Sequence, residues 1–254
     1  MPPATEAIKR LTDRLRLTTP ILAVYDSSGT EAFAPLIEAR GTTCCFAFCN
    51  HWLNGETVAF RKGGGGCGGA QVALGLKQGY PPYMAHFLTD GEGAPMGEGL
   101  KASPEIAQEF LDRAQPTEVS SDAVLIGPLR LDQWDAVRSV SFLVDPDRLS
   151  ALMTLSAYWS GDTRLVSAPF SSGCGMLWRE LTYGGEDRPV IGGTDVAARR
   201  HLPPDMMIFS VTPARFEQML TVPDGSFLDK EWWNNLMDQR QRKRQVDETR
   251  HQAS

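Results

Sequence analysis

The stretch TVAFRKGGGGCGGAQVALGL, residues 57–76, decides the fold of this chain. Residues 57–60 are mostly apolar and predict a strand. Residues 63–69 are six glycines around a single cysteine and predict a loop, and residues 70–76 predict the start of a helix. A strand, a Gly/Cys loop and a helix in this order favour a fold of the α/β class, in which such units recur.

Elements of both kinds continue outward from this stretch. The sequence predicts strands at ILAVYD (21–26), YMAHFL (83–88), AVLIGPL (123–129) and SVSFLV (139–144), and helices at 4–16, 44–53 and 103–114. The last of these helices has Ser103 as its N-cap and Pro104 at its first position. We therefore expect one α/β (mixed α+β) domain over residues 1–228, followed by a C-terminal helix and charged tail over residues 229–254.

A second Gly-Cys-Gly turn predicts an internal repeat. Trp52 lies fifteen residues before Cys67, and Trp159 lies fifteen residues before Cys174. Both intervals contain a turn, a short apolar run (TVAF or TRLV) and a loop of small residues. We therefore expect two pseudo-repeated strand–Gly/Cys loop–helix units whose turns face each other.

Composition excludes several classes of protein. The 254 residues include 25 Lys and Arg against 31 Asp and Glu, a formal charge of −6, so we expect no binding to nucleic acid. No apolar run is long enough to span a bilayer, and the first residues lack the apolar core of a secretory signal, so we expect no membrane association and a cytoplasmic location. Five cysteines in a reducing compartment do not predict a disulfide framework.

The glycine-rich loop could cradle a phosphate group. Gly64-x-Gly66-x-x-Gly69 fits the dinucleotide-binding fingerprint, and Asp90 follows at the distance of a ribose-binding acid. However, residues 61–63 separate the strand from the first glycine, which misplaces the tight turn. A nucleotide-dependent oxidoreductase is therefore an alternative hypothesis rather than the preferred one.

The thiols shared by the two turns favour a metal site. A cysteine at a helix N-terminus meets free N–H groups that stabilise its thiolate, which is the form that binds metals. Glycines beside it let a bulky cofactor approach the backbone. The candidate cofactor-binding glycines are Gly66, Gly68, Gly173 and Gly175.

Three thiolates from separate segments would suit a [4Fe–4S] cluster. Cys67 and Cys174 supply two of them, and Cys44, Cys45 or Cys49 supplies the third. No Cys-x-x-Cys pair occurs, so a zinc ribbon or thioredoxin-type site is not predicted. One iron would lack a protein thiolate and could act as a Lewis acid on a small-molecule substrate, as in lyases, desulfidases or hydrolases. The alternatives are a sensor that binds a small ligand or metal without turnover, and cysteines that serve only as small buried apolar residues.

Other candidate groups are fewer. His51 follows the first cysteines and is a candidate general acid/base. Arg61 and Arg164 are candidate partners of an anionic substrate. The Trp232-Trp233 pair could cover a second copy of the chain, which leaves a homo-oligomer open.

Several of these motifs resemble the uncharacterised domain-of-unknown-function family 169. They are Thr19-Pro20-Ile21-Leu22-Ala23-Val24, Cys45-Phe46-Ala47 ahead of Asn54-Gly55-Glu56, Cys67-Gly68-Gly69-Ala70 with Leu74-Gly75-Leu76, Gly173-Cys174, and the strand–Pro–helix unit at 207–220. Family members often have Pro where this chain has Gly68. The resemblance implies that Cys45, Cys67 and Cys174 form one set, and it implies no activity.

Overall fold

A computed structural model describes residues 2–27, 29–94, 96–114, 119–170, 174–177 and 187–252 of the chain. The strands are β1 (Leu22–Asp26), β2 (Leu36–Glu38), β3 (Thr57–Arg61), β4 (Ala123–Pro128), β5 (Val137–Val144), β6 (Val190–Gly192) and β7 (Met207–Val211). The α-helices are α1 (Thr5–Leu15), α2 (Cys49–Leu53), α3 (Gly68–Ala73), α4 (Met84–Phe87), α5 (Pro104–Arg113), α6 (Pro146–Ser156), α7 (Pro213–Leu220) and α8 (Glu231–Gln252). The predicted mixed α+β class is confirmed.

The seven strands form one mixed sheet in the order β2-β3-β4-β1-β5-β7-β6. The strands β2 and β3 are parallel, and the remaining neighbours are antiparallel. Successive side chains of a strand point to opposite faces, so each strand contributes to two separate cores. In β1, for example, Ala23 and Tyr25 face one core, while Leu22 and Val24 face the other.

Four helices cover one face of the sheet. The helices α1, α6, α7 and α8 contribute buried residues to the core on this side, where Phe142, Phe209 and Phe216 pack together. Trp233 of α8 is buried there, and its indole N–H donates to the carbonyl of Arg14 at 3.0 Å. Trp232 beside it is 60% exposed. Only one member of the Trp pair therefore offers surface to another molecule.

The opposite face carries the cysteine segments. Val24, Ile126 and Ile208 point toward this side, where they pack in one cluster with the segment 45–53, α3 and the turn 174–177. The sheet thus separates a helical layer from a layer of short turns, and every cysteine lies in the second layer.

Two strand–Pro–helix units begin their helices in the same way. Asp145 caps α6 by accepting from the N–H of Arg148, and Thr212 caps α7 by accepting from the N–H of Arg215. Each cap is followed by proline at the first helical position, which needs no N–H donor there.

The predicted strand at 83–88 is wrong, because this segment forms the one-turn helix α4. Its apolar residues Met84, Ala85 and Leu88 pack against Ala107 and Leu111 of α5. A short apolar run has no period that separates a strand from a single helical turn, and here the contact with α5 decides.

The predicted strand at 163–166 is also wrong, since these residues form turns. Ser167 makes an isolated bridge with Val190. The second unit of the expected repeat therefore lacks the strand that precedes the glycine loop in the first, and the repeat is not confirmed. Over the described residues, the helices are all too short or too polar to cross a membrane.

Candidate metal centre

Cys67 lies in a turn that is fixed by backbone hydrogen bonds. The N–H of Gly66 donates to the carbonyl of Gly41 at 2.9 Å, and the N–H of Cys67 donates to Thr43 at 3.0 Å. Gly66 has a φ of +102°, which a residue with a side chain rarely adopts. The turn is therefore attached to the segment that leads directly into Cys44 and Cys45.

The Cys67 side chain caps α3. Its Sγ accepts a hydrogen bond from the N–H of Ala70 at 3.4 Å, but this bond does not produce the stabilised thiolate that the sequence predicts. Burial, as the largest cause, and the neighbouring Cys174 and Cys44 thiols raise the pKa of Cys67 to about 12. The thiol is therefore protonated at neutral pH in the absence of a metal ion, and ligation would release its proton.

Gln71 holds the glycine loop from inside. Its amide donates to the carbonyls of Arg61 and Gly65 at 3.0 and 2.8 Å and accepts from the N–H of Gly63 at 3.3 Å. Gly65 lies so close to the preceding segment that an added Cβ would stand 1.9 Å from the carbonyl oxygen of Ala39. The loop has glycine here because another backbone occupies the space, and sequence reasoning did not identify Gln71.

Cys44 and Cys45 enter the site at the start of a short 3₁₀ turn, Cys45–Phe48. Cys45 is completely buried, and Cys44 is partly exposed. Hydrogen bonding from the Cys45 thiol lowers the pKa of Cys44 to about 7, assisted by the N–H of Phe46 and opposed by burial. Cys44 is thus more readily ionised than Cys45 and Cys67.

Cys174 lies beside Cys45, although it is distant from it in the sequence. Its thiol and that of Cys44, with burial, raise the pKa of Cys45 well above its ordinary range, and hydrogen bonding with Cys174 is the largest cause. The turn behind Cys174 is tied to the sheet, because the Ser139 hydroxyl donates to the carbonyl of Leu177. Cys45, Cys67 and Cys174 therefore lie together, with Cys44 as a fourth thiol beside them.

Cys49 differs from the other four thiols. It is buried among apolar side chains, and burial alone raises its pKa to about 11. The segment 44–53 changes from a 3₁₀ turn to the α-helix α2 at this residue. Cys49 is therefore a packed core residue in this structure. Of the first three cysteines, Cys44 and Cys45 are the two that lie at the thiol site.

The remaining candidate residues are distributed as follows. His51 is paired with Glu56, its Nδ1 lying 2.7 Å from Oε2, and stacks on Phe48. Gly68 opens α3, Gly175 is buried in the turn after Cys174, and Gly173 lies outside the described residues. Arg61 is paired with Glu38 at 2.8 Å. The role of His51 in acid–base chemistry stays a prediction.

Charged side chains lie near the partly exposed thiol of Cys44. The turn Arg199–His201 contacts the turn Cys45–Phe48, and Ala198 and Leu202 on either side of it pack in the cluster that contains Cys45. Burial and the charge of Asp195 raise the pKa of Glu98, and Arg200 opposes this. Asp195 and Arg200 also act on the pKa of Cys44, so the charges of these side chains reach the partly exposed edge of the thiol site.

Tyr83 borders the same site. Its hydroxyl would stand 3.5 Å from a Cβ added to Gly68, the residue after Cys67, and the side chain is 38% exposed. Sequence reasoning missed Tyr83, Glu98, Asp195 and Arg200, because nothing in their local sequence indicates that they meet at the cysteines.

The spacing of the thiols bears on the kind of metal site. Thiolates on one tetrahedral zinc ion stand about 3.8 Å apart, given a Zn–S bond of about 2.3 Å. Across the part of the chain that the structure describes, no three sulfurs lie within 4.8 Å of one another. The one group that does meet this limit is His86, Asp90 and Glu92, which is surface-exposed in its acidic members.

The glycine loop does not continue into a nucleotide-binding unit of the Rossmann type. Such a unit joins two parallel strands through its helix. Here the next strand, β4, pairs with β3 in antiparallel fashion. Asp90 lies after α4, where it accepts from the N–H of Glu92.

Comparison with known proteins gives a family and no activity. The profile of domain-of-unknown-function family 169, described as an uncharacterised ArCR, matches residues 10–222, which include every thiol of the site. No curated protein and no solved structure matches the chain. The matched range covers most of the 254 residues. The chain therefore belongs to domain-of-unknown-function family 169.

Proposed function

We propose that this protein binds a [4Fe–4S] cluster through Cys45, Cys67 and Cys174 and uses the iron that lacks a protein thiolate as a Lewis acid on a small molecule. The reaction class is non-redox, of the lyase or hydrolase kind, including removal of a sulfur group. The observation that carries the proposal is the meeting of thiols from three distant segments on one face of the sheet.

The chemistry of the donors supports an iron–sulfur cluster. Thiolates are soft ligands that select zinc, copper(I) and iron–sulfur clusters. The glycines beside Cys67 leave room next to the thiol, since a Cβ on Gly69 would lie 3.9 Å from its Sγ.

The surroundings assign roles to this chain's own residues. Cys45 and Cys174 are buried, so the inner side of the site excludes water. Cys44 is partly exposed and the charges of Asp195 and Arg200 act on it, so a substrate would enter from this outer side. When bound, the cluster would supply an electrophilic iron. We also propose a cytoplasmic location, because free thiols persist best in a reducing compartment.

Anaerobic reconstitution with iron and sulfide tests the proposal. We expect a broad absorption shoulder near ~400 nm and about four iron and four sulfide per chain. Cys67→Ala and Cys174→Ala should each lose most of the bound iron. Cys49→Ala is the matched control, because this thiol is buried apart from the site, and it should load like the wild type.

The first ligand is identified by a second pair of variants. Cys45→Ala should lose the cluster, whereas Cys44→Ala should retain it. A protein that stays colourless after reconstitution would overturn the proposal, and so would wild-type iron content in both Cys67→Ala and Cys174→Ala. Loss of iron from Cys49→Ala alone would show that the ligand set is wrong.

A further inference from the structure

Arg200 is an unusual arginine in this protein. Most arginines of the chain are committed to carboxylates, such as Arg14 to Asp229 and Arg148 to Asp145. In the described part of the chain, no carboxylate oxygen lies within 4.0 Å of the Arg200 guanidinium, and its Nε donates to the ring of His201 at 3.3 Å. The side chain is exposed, so most of its five donors are available to a ligand.

The turn that carries Arg200 lies next to the thiol site. The turn Arg199–His201 packs on the turn that begins with Cys45, and Ala198 before it is buried in the same cluster as Cys45 and Cys174. Arg199 fixes this turn, because its guanidinium donates to the carbonyls of Met206 and Pro204 at 2.6 and 2.9 Å. Arg200 is thus held on a segment that packs on the turn directly after Cys44, and its charge acts on the Cys44 thiol.

The neighbouring charges limit which anion could bind. The charges of Asp195 and Arg200 both act on Glu98, so the three side chains lie near one another, and they sum to one negative charge when all are ionised. A phosphate with two charges would be repelled there more strongly than a carboxylate with one. A carboxylate also matches the planar fork of a guanidinium.

We propose that the substrate is a small monocarboxylate and that Arg200 binds its carboxylate group next to Cys44. This inference names the substrate class of the site described above and so rests on the proposed function. It assigns a binding residue to the outer side of the site. With its carboxylate on Arg200, the other end of the substrate would face the iron that lacks a protein thiolate.

Alkylation of the metal-free protein tests Arg200 without requiring a cluster. Iodoacetate and iodoacetamide react with Cys44 in the same way: the thiolate sulfur forms a bond to the methylene carbon, and iodide leaves with the electron pair of the C–I bond. The reagents differ in a carboxylate against a neutral amide. The ratio of their rates on one thiol cancels its degree of ionisation and reports on the anion site alone.

The expected result is a preference for iodoacetate at Cys44, followed by peptide mass spectrometry and compared with free cysteine under the same conditions. Arg200→Gln should lower the iodoacetate rate roughly tenfold, as expected for a lost charge-assisted hydrogen-bond pair. Arg200→Lys should fall between, because it keeps the charge and loses the fork. The iodoacetamide rate should fall slightly in Arg200→Gln, because the charge of Arg200 lowers the pKa of Cys44, and this change cancels in the ratio of the two rates. In Arg200→Lys it should stay near the wild-type rate, which shows that the fold and Cys44 are intact.

Arg242→Gln is the matched control, since Arg242 is an exposed arginine on α8 with no ion pair in the described residues, and it should behave like the wild type. An iodoacetate-to-iodoacetamide ratio equal to or below that of free cysteine would overturn the assignment. It would show that the negative charges of Asp195 and Glu98 outweigh the charge of Arg200 for an anion at Cys44. A preference that survives Arg200→Gln would overturn it as well. Because no iron is involved, either result is independent of whether a cluster assembles.

Discussion

Replacing Gln71 by Met would remove the amide that organises the glycine loop while keeping the length of the side chain. Gln71 is 7% exposed, and its amide makes three hydrogen bonds with loop backbone groups. Methionine can neither accept from the N–H of Gly63 nor donate to the carbonyls of Arg61 and Gly65. The shape of the core is nearly conserved, so the polar loss should dominate the result.

The magnitude follows from these contacts. A net hydrogen bond contributes about 1 kcal/mol, and a buried polar group left without a partner costs ~1–3 kcal/mol. The 3.3 Å bond to Gly63 is the longest, and Gly65, which is buried, bears the main loss. We therefore expect Gln71→Met to lower the free energy of unfolding by about 2–4 kcal/mol. For a domain of this size, that corresponds to a fall in Tm of roughly 5–15 °C.

Urea unfolding followed by tryptophan fluorescence measures this change. The matched control is Gln108→Met on the exposed face of α5, where the amide donates only to Asp112 at 2.7 Å. This variant should remain within about 0.5 kcal/mol of the wild type. If Gln71→Met is no less stable than Gln108→Met, the loop does not depend on the amide and the reasoning is refuted.

Two further substitutions test the supports of the site and of the sheet. Gly65→Ala places a Cβ against the carbonyl of Ala39 and should destabilise the protein by about 1–3 kcal/mol in thermal unfolding. Gly161 has open space around it, so Gly161→Ala is the control and should not be destabilised. Equal stability of the two variants would contradict the close approach of Gly65 to Ala39. Asp26→Asn should cost ~1–3 kcal/mol at pH 7. Burial by itself would raise the pKa of Asp26, but hydrogen bonds from Ser121 and Ser120 outweigh this effect and lower the pKa. The difference should therefore be complete above the unfolded-state pKa of ~3.9 and shrink as the pH falls through the lower folded-state value, and a difference that grows on acidification would contradict this sign.

Local signals were enough for much of the fold. The strands around Val24, Ile126 and Phe142 carry runs of apolar residues, and the proline-led helices after Asp145 and Thr212 have caps that satisfy their first N–H groups. These features depend on residues within a few positions of one another. For this reason they could be predicted from one sequence.

Where several segments compete for the same space, local signals were not enough. Residues 83–88 have the composition of a strand, and only their packing on Leu111 makes them helical. The Cys44/Cys45 doublet and Cys49 could not be distinguished, because the turn type changes between them. Arg200 and Glu98 are about a hundred residues apart, and no sequence period connects them. Cys67 and Cys174 could be proposed as site residues because glycines flank them, and glycine lets another group approach the backbone closely. No such local signal accompanies Arg200.

The sheet divides this protein into a layer of four helices and a layer of cysteine-bearing turns. A substitution under the helices, for example at Phe216, changes the fraction of molecules that are folded and therefore the amount of protein that escapes degradation in a cell. A substitution at Arg200, on an exposed turn, should leave that amount unchanged and, on the role proposed for it, weaken substrate binding by each molecule. Measuring steady-state abundance and output per molecule separately would assign a defective variant to one layer or the other.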